Sequence, residues 1–300
     1  MSRKPYHIID LGFQGLPEVI AAFLLETTAG YVLVESGPHS CWPTLTRSLD
    51  HLGIKLKDIQ HVLLTHIHLD HAGAAWALAE HGATIHVHPA GVDHLHDPSR
   101  LIASAKRIYL EQMDKLWGEM KAIPLKQLNS VFHQQVISIG EKTFVAHHTP
   151  GHAIHHIAWQ LDEVLFTGDV AGICIGDGLV SPPCPPPEFD LESWKHTIQL
   201  MRELPVEELV LTHFGPVKNK RNHLQMLEAA LEQWVNFFTR QEVQVDLPTL
   251  TDQFITYIHQ DFYEKGMDSI HRDQYDKANP PWMSVVGITR YLQKMKKESK

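Results

Sequence analysis

The sequence predicts a layered α/β protein with a helical C-terminal part, on three observations. Short strand-type runs alternate with helix-type segments through the first two thirds of the chain, the pattern of sheets covered by helices. Histidines and aspartates cluster where several of those strands run out. Beyond Pro216 only helical periodicity is found.

The elements follow in order. Residues 19–25 and 31–35 are β-rich runs joined around Thr27, Thr28, Ala29 and Gly30, which reads as a hairpin, and Ser36-Gly37-Pro38 ends the second run. Residues 44–51 have helical spacing and stop at Gly53. Residues 61–65 form a short buried-type strand running into a histidine-rich loop. Residues 72–81 read as an alanine-rich helix closed by Gly82, and 84–88 as another strand. Helical spacing resumes over 99–121, with Ile102, Ile108, Leu110, Met113 and Leu116 among its apolar positions. Strand runs return at 136–139, 143–147, 157–161 and 164–167, and so many short strands in succession predict antiparallel pairing. Residues 181–187 hold five prolines and form neither helix nor central strand, because proline fixes φ and lacks the N–H donor. A helix over 191–204 and a strand over 209–212 come next. Residues 223–240, 249–264 and 285–294 read as helices. The chain therefore divides into a first domain over 1–216 and an all-helical C-terminal subdomain over 217–300.

Composition narrows the function. The chain has 300 residues, 43% hydrophobic and 20% charged, as expected of a globular protein with a full core. A formal net charge of −9 and the lack of a basic stripe argue against nucleic acid as a partner. The short basic cluster Lys294, Lys296, Lys297 and Lys300 reads as a solvated tail. No apolar run approaches the length of a membrane span, so no membrane association is expected. Cys41, Cys174 and Cys184 are odd in number and at no metal-binding spacing. With no signal-peptide pattern after Met1, this points to a reducing cytoplasm. The remaining expectation is a small-molecule substrate, with a homo-oligomer left open. The unusual figure is 23 histidines, about twice ordinary usage.

Thr65-His66-Ile67-His68-Leu69-Asp70-His71 places four potential ligands within six residues, at the end of a buried strand. Three imidazoles and a carboxylate so close together serve no purpose in a structural loop, and their protonated forms repel unless a cation organises them. Three further segments repeat the theme: Gly151-His152, Gly168-Asp169, and His213 within Leu211-Thr212-His213-Phe214-Gly215-Pro216. In each, a His or Asp is flanked by Gly or Pro, as a ligand on a sharp turn at a sheet edge requires.

This ordered set resembles the metallo-β-lactamase superfamily, from about residue 5 to 216. The resemblance implies an αββα sandwich, two mixed β-sheets flanked by helices, as the catalytic domain, with the helical part as an extension. It implies that His66, His68 and His152 hold one metal ion, that Asp70, His71 and His213 hold a second, and that Asp169 bridges them. Nitrogen and oxygen donors without thiolate suit two divalent ions, Zn²⁺ first, with Fe or Mn as alternatives. The implied chemistry is hydrolysis with a metal-bridging hydroxide as nucleophile, oriented by the catalytic Asp70.

Other positions carry weaker signals. Glu35 stands where the family usually has Asp, an acid that braces the histidine loop without binding metal. One of His155 and His156 is expected to face the site and the other to be structural. His86, His88, His147 and His148 read as strand residues. Cys174 reads as a small buried hydrophobe. Lys218, Lys220 and Arg221 could reach substrate anions or simply start a helix. Trp234, Phe237, Phe238, Tyr257 and Phe262 are helix-spaced and read as core. The proline loop, between Asp169 and the next helix, could wall the pocket.

The fold alone does not fix the reaction. One β-lactamase class has Cys where Asp169 stands, and the diiron flavoproteins carry Glu where His68 stands. What remains resembles the glyoxalase-II-like group, which implies hydrolysis of a small ester, thioester or lactone. Two other classes stay open. One is a mononuclear iron oxidoreductase resembling persulfide dioxygenases. The other is a non-catalytic ligand sensor.

Overall fold

A computed structural model of the protein describes residues 4–176, 178–217, 219–241 and 245–298. The first half builds β1 (His7–Asp10), β2 (Ala21–Thr27), β3 (Gly30–Val34), α1 (Trp42–His51), β4 (Ile59–Leu63), α2 (Leu69–Ala72), α3 (Ala75–Glu80), β5 (Thr84–Val87), α4 (Pro89–His96), α5 (Ser99–Tyr109), α6 (Met113–Trp117) and β6 (Leu128–Ser130). The second half builds β7 (Val136–Ile139), β8 (Lys142–His148), β9 (Ile157–Leu161), β10 (Val164–Gly168), α7 (Leu191–Glu203), β11 (Glu208–Leu211) and β12 (Gly215–Pro216). Four helices follow: α8 (Lys220–Thr239), α9 (Leu247–Glu264), α10 (Ser269–Ala278) and α11 (Pro281–Glu298).

The strands form two six-stranded sheets, ordered β1-β2-β3-β4-β5-β6 and β12-β11-β10-β9-β8-β7. Both are mixed. In the first, β1-β2-β3 pair antiparallel and β3 to β6 pair parallel. In the second, β7 to β10 pair antiparallel as expected, and β11 joins β10 in parallel.

Period-two alternation sorts the side chains into layers. On β2, Ala21, Phe23 and Leu25 face a core between the sheets that also takes Phe144, Trp159 and Phe166. Ala22 and Leu24 face the opposite way, into a layer with Leu45 of α1 and Leu78 of α3. The outer face of the second sheet, with Leu165 and Leu209, is covered by Trp194 and Ile198 of α7. With both faces covered, the inner strands read as continuous apolar runs. The result is the αββα sandwich. Leu224 and Leu231 of α8, Phe254 of α9 and Val285 of α11 join that last apolar cluster, so the C-terminal helices share a core with the second sheet. Among the described residues, no helix is long and apolar enough to cross a membrane. Lys294, Lys296 and Lys297 are exposed on α11, and Lys300 lies outside the described residues.

Several elements depart from the sequence reading. The helix expected over 99–121 is broken after Tyr109, where Leu110 takes φ 48° and its side chain is exposed. The break folds α6 back, so that the rings of Tyr109 and Trp117 meet edge-on at 5.0 Å between centroids. The helix expected over 72–81 begins earlier, inside the histidine motif, and splits into α2 and α3. Helix α10 lacked an apolar stripe to betray it: its sequence SIHRDQYDKA buries only Gln274 and Tyr275. Side chains of Asp190, Asn219, Asp246 and Asp268 cap α7, α8, α9 and α10 by accepting a backbone N–H.

Candidate metal centre

The candidate ligands all lie beyond the carboxyl ends of strands. His66 and His68 follow β4, with Asp70 and His71 on the first turn of α2. His152 follows β8, Asp169 directly follows β10, and His213 follows β11. Two glycines make these turns possible. At Gly151 φ is +135°, and a Cβ would lie 2.5 Å from Trp194 Cα. At Gly168 φ is +50°, and a Cβ would lie 2.5 Å from Thr65 Oγ1.

The structure brings all seven residues together. His66 Nε2, His68 Nδ1 and His152 Nε2 converge, at 2.9 Å (His66–His68), 2.9 Å (His152–His68) and 3.2 Å (His152–His66). A second group gathers Asp70, His71 and His213, with Asp70 Oδ2 3.5 Å from His71 Nε2 and 3.6 Å from His213 Nε2. Asp169 lies between the groups. Its Oδ1 is 3.2 Å from His71 Nε2 and 3.3 Å from His213 Nε2, while its Oδ2 is 3.3 Å from His152 Nε2.

The outward-facing ring atoms fix the tautomers. His152 Nδ1 donates to the Pro183 carbonyl (2.9 Å), and His213 Nδ1 donates to the Val19 carbonyl (2.6 Å). A carbonyl can only accept, so both Nε2 atoms present bare lone pairs to the centre when the rings are neutral. His71 Nδ1 donates to Glu35 Oε1 at 2.9 Å. His66 Nδ1 donates to Thr65 Oγ1 (3.0 Å), whose hydroxyl donates to Glu35 Oε1 (2.5 Å). Thr65 N–H and Thr212 Oγ1 also donate to the Glu35 carboxylate. Glu35 thus braces the loop as expected, and does so from a backbone at φ 66°.

The centre is a donor set of a kind that could hold cations. His71 Nε2, Asp169 Oδ1 and His213 Nε2 are buried with no hydrogen-bond partner. Orphaned buried polar atoms are costly, and here they point at one another. Burial and neighbouring histidines hold His66 and His68 well below the usual imidazole pKa, so these rings are neutral and ready to ligate. Burial lowers His71 and His213 too, but Asp169 and its neighbours outweigh it and raise both. Burial opposes ionisation of Asp169, yet His71, His152 and His213 outweigh it and push its carboxyl well below the usual range.

The surrounding residues divide cleanly. His156 stands behind the centre: its Nε2 accepts the Asp169 N–H (3.3 Å) and its Nδ1 donates to Thr149 Oγ1 (2.8 Å). His155 is the one on the cavity wall, 3.3 Å from Glu188 Oε2. Burial pushes its pKa down to about 3. His86, His88, His147 and His148 bond to Asn129, the Ala90 N–H, Gln160 and the Val131 carbonyl, which are structural tasks. Cys174 Sγ donates to the Gly178 carbonyl at 3.7 Å and joins none of the ligand groups. Lys220 caps the carbonyls of Leu204 and Val206, Arg221 is exposed at the start of α8, and Lys218 lies outside the described residues. Trp234 and Phe238 are buried with Phe237 and Tyr257 packed beside them, and Phe262 is buried against Tyr275.

A cavity of about 350 Å³ opens over the ligands, with His68, Asp70, His152, Asp169 and His213 at its floor. Prolines 183 and 185–187 wall it on one side, and residues 276–280 and 283, from α10, its end and α11, cover another. A third wall comes from α5 and α6 and includes Tyr109, which carried no signal in the sequence.

Comparison with known proteins agrees with this architecture. A family model described as the metallo-beta-lactamase superfamily matches residues 15–213. A metallo-beta-lactamase fold-containing protein of Sulfurisphaera tokodaii is 24% identical over 82% of this chain and 89% of its own. An atrochrysone carboxyl ACP thioesterase of Aspergillus fumigatus is 28% identical over 68% of this chain and 53% of its own. The crystal structure of a metallo-beta-lactamase family protein from Thermus thermophilus superposes with a TM-score of 0.74 at 17% identity, covering 98% of this chain and 95% of that one. With the fold, the ordered ligand set and this match over most of the sandwich in hand, the chain belongs to the metallo-beta-lactamase superfamily.

Proposed function

We propose that the protein is a dinuclear metal-dependent hydrolase of a small ester, thioester or lactone, akin to the glyoxalase-II-like group. The observation that carries this reading is the orphaned trio of His71 Nε2, Asp169 Oδ1 and His213 Nε2, set beside three converging imidazole nitrogens. Asp169 turns one oxygen toward each group. His66, His68 and His152 would hold one divalent ion, Asp70, His71 and His213 the other, with Asp169 shared. Ions held there would supply Lewis acidity, polarising a carbonyl and making water acidic enough to attack near neutral pH.

The protein's own groups do the rest. Asp70, which lines the cavity with its side chain one-fifth exposed, would orient the attacking water and take its proton. Glu35 and the carbonyls of Val19 and Pro183 keep the ring lone pairs aimed inward. With substrate seated, the apolar walls would exclude bulk water and strengthen each electrostatic contact inside. The thioesterase among the relatives supports acyl-transfer chemistry to water.

Plasma mass spectrometry on protein purified without chelators tests this reading. About two zinc or manganese ions per chain, with turnover of thioesters or lactones, is the expected result. About one iron per chain, with oxygen consumed on a persulfide, would replace the hydrolase with a mononuclear oxidoreductase.

A further inference from the structure

The cavity wall built by α5 and α6 carries no candidate ligand. Helix α5 presents Leu101, Ala105 and Ile108 to the cavity at i, i+4 and i+7, one face of a helix. Such a stripe normally meets a protein core. Here Ala105 is buried while Ile108 remains 37% exposed, because the stripe runs out along an open space. At the end of it, Tyr109 is held between two indoles, with ring centroids 5.0 Å from Trp117 and 6.2 Å from Trp282. Its hydroxyl donates to Met283 Sδ at 3.3 Å. A thioether is a weak acceptor, so little is lost when that donor turns to a better one. Tyr109, Met283 and Asp70 line the same cavity.

We propose that this wall is the acyl subsite, that it takes an extended or aromatic apolar acyl group, and that Tyr109 donates a hydrogen bond to a substrate oxygen beside the metal centre. The assignment rests on the hydrolase reading and deepens it by naming the substrate class. An apolar acyl chain would cover the α5 stripe and remove it from water. Each methylene so buried strengthens binding about fourfold at most, by the usual transfer free energy. The Tyr109 phenol, clamped by two rings, makes its contact with little loss of side-chain freedom.

Two measurements on the metal-loaded protein test it. The first follows tryptophan fluorescence on titration with octanamide and with acetamide, which carry the acyl carbonyl but resist hydrolysis. The second compares kcat/KM for acetyl and hexanoyl thioesters of N-acetylcysteamine. Octanamide should bind at least about 50-fold tighter than acetamide, and hexanoyl should exceed acetyl at least about tenfold. Ile108→Glu, at a partly exposed position that tolerates charge, should abolish both the hexanoyl-over-acetyl preference and the tighter binding of octanamide over acetamide. Tyr109→Phe should weaken both amides by a similar factor, since both offer the same carbonyl. Equal binding of the two amides, or an unchanged preference in Ile108→Glu, overturns the subsite. Tight octanamide binding without turnover of any thioester leaves the subsite standing and removes the hydrolase reading instead.

Discussion

Glu35 ties the backs of two candidate ligands together, His71 directly and His66 through Thr65. Its carboxylate takes hydrogen bonds from Thr65 N–H, Thr65 Oγ1, His71 Nδ1 and Thr212 Oγ1, in a fully buried position. Glu35→Gln keeps the volume but sets an NH₂ group against donors. Metal affinity should fall by roughly 10–100-fold, read by competition with a chromophoric chelator. Unaltered affinity would show that the brace is dispensable. Glu35→Asp should do less harm, because Asp adopts a positive φ more readily and remains an anion. Asp70→Ala should cut turnover by about 10²–10⁴ with an unchanged circular dichroism spectrum, and near-normal turnover would remove Asp70 from the mechanism. At this scale the seven candidate ligands were legible, because each is declared by its immediate neighbours: a strand end, a glycine, another histidine. The Val19 and Pro183 carbonyls were not, since any residue supplies a carbonyl and only the tertiary fold decides which one arrives.

Elements were legible wherever burial imposes a period. Strands covered on both faces and helices α1, α7, α8, α9 and α11 announce themselves through apolar spacing. Helix α10 and the break between α5 and α6 do not, because the first is nearly all polar and the second depends on a ring contact made after the chain folds back. Both border the cavity, so the sequence was least informative about the walls over the candidate metal centre. Caps matter at this scale. Asp190 accepts the Ser193 N–H at 2.8 Å, and its own N–H reaches the Gly151 carbonyl beside His152. Asp190→Ala should lower unfolding free energy by about 1 kcal/mol in urea titration. No measurable loss would mean that packing of Trp194 alone holds the start of α7.

For the molecule as a whole, the centre is a crosslink between sheets. Glu35 and Thr65 follow β3 and β4 of the first sheet, Asp169 and His213 follow β10 and β11 of the second, and Ala21 N–H meets the Thr212 carbonyl between the sheets. A ligand bound only by the native state adds stability by mass action, about 2.7 kcal/mol at a hundred times its Kd. Stripping metal with a chelator should therefore lower Tm, and restoring zinc should recover it in a concentration-dependent way. An identical Tm with and without metal would show that the sheets hold the ligands in place unaided.

The bond from His213 to the Val19 carbonyl spans 194 positions of the chain. Contacts that distant in sequence close late, since the loop between them must be ordered first. A growing polypeptide therefore carries its first histidine cluster through nearly half of its synthesis, from His71 to His213, before the last candidate ligand exists. Ion capture would then act as a timer for maturation, weak while the second sheet is missing and secure only once both ends of the sandwich have met.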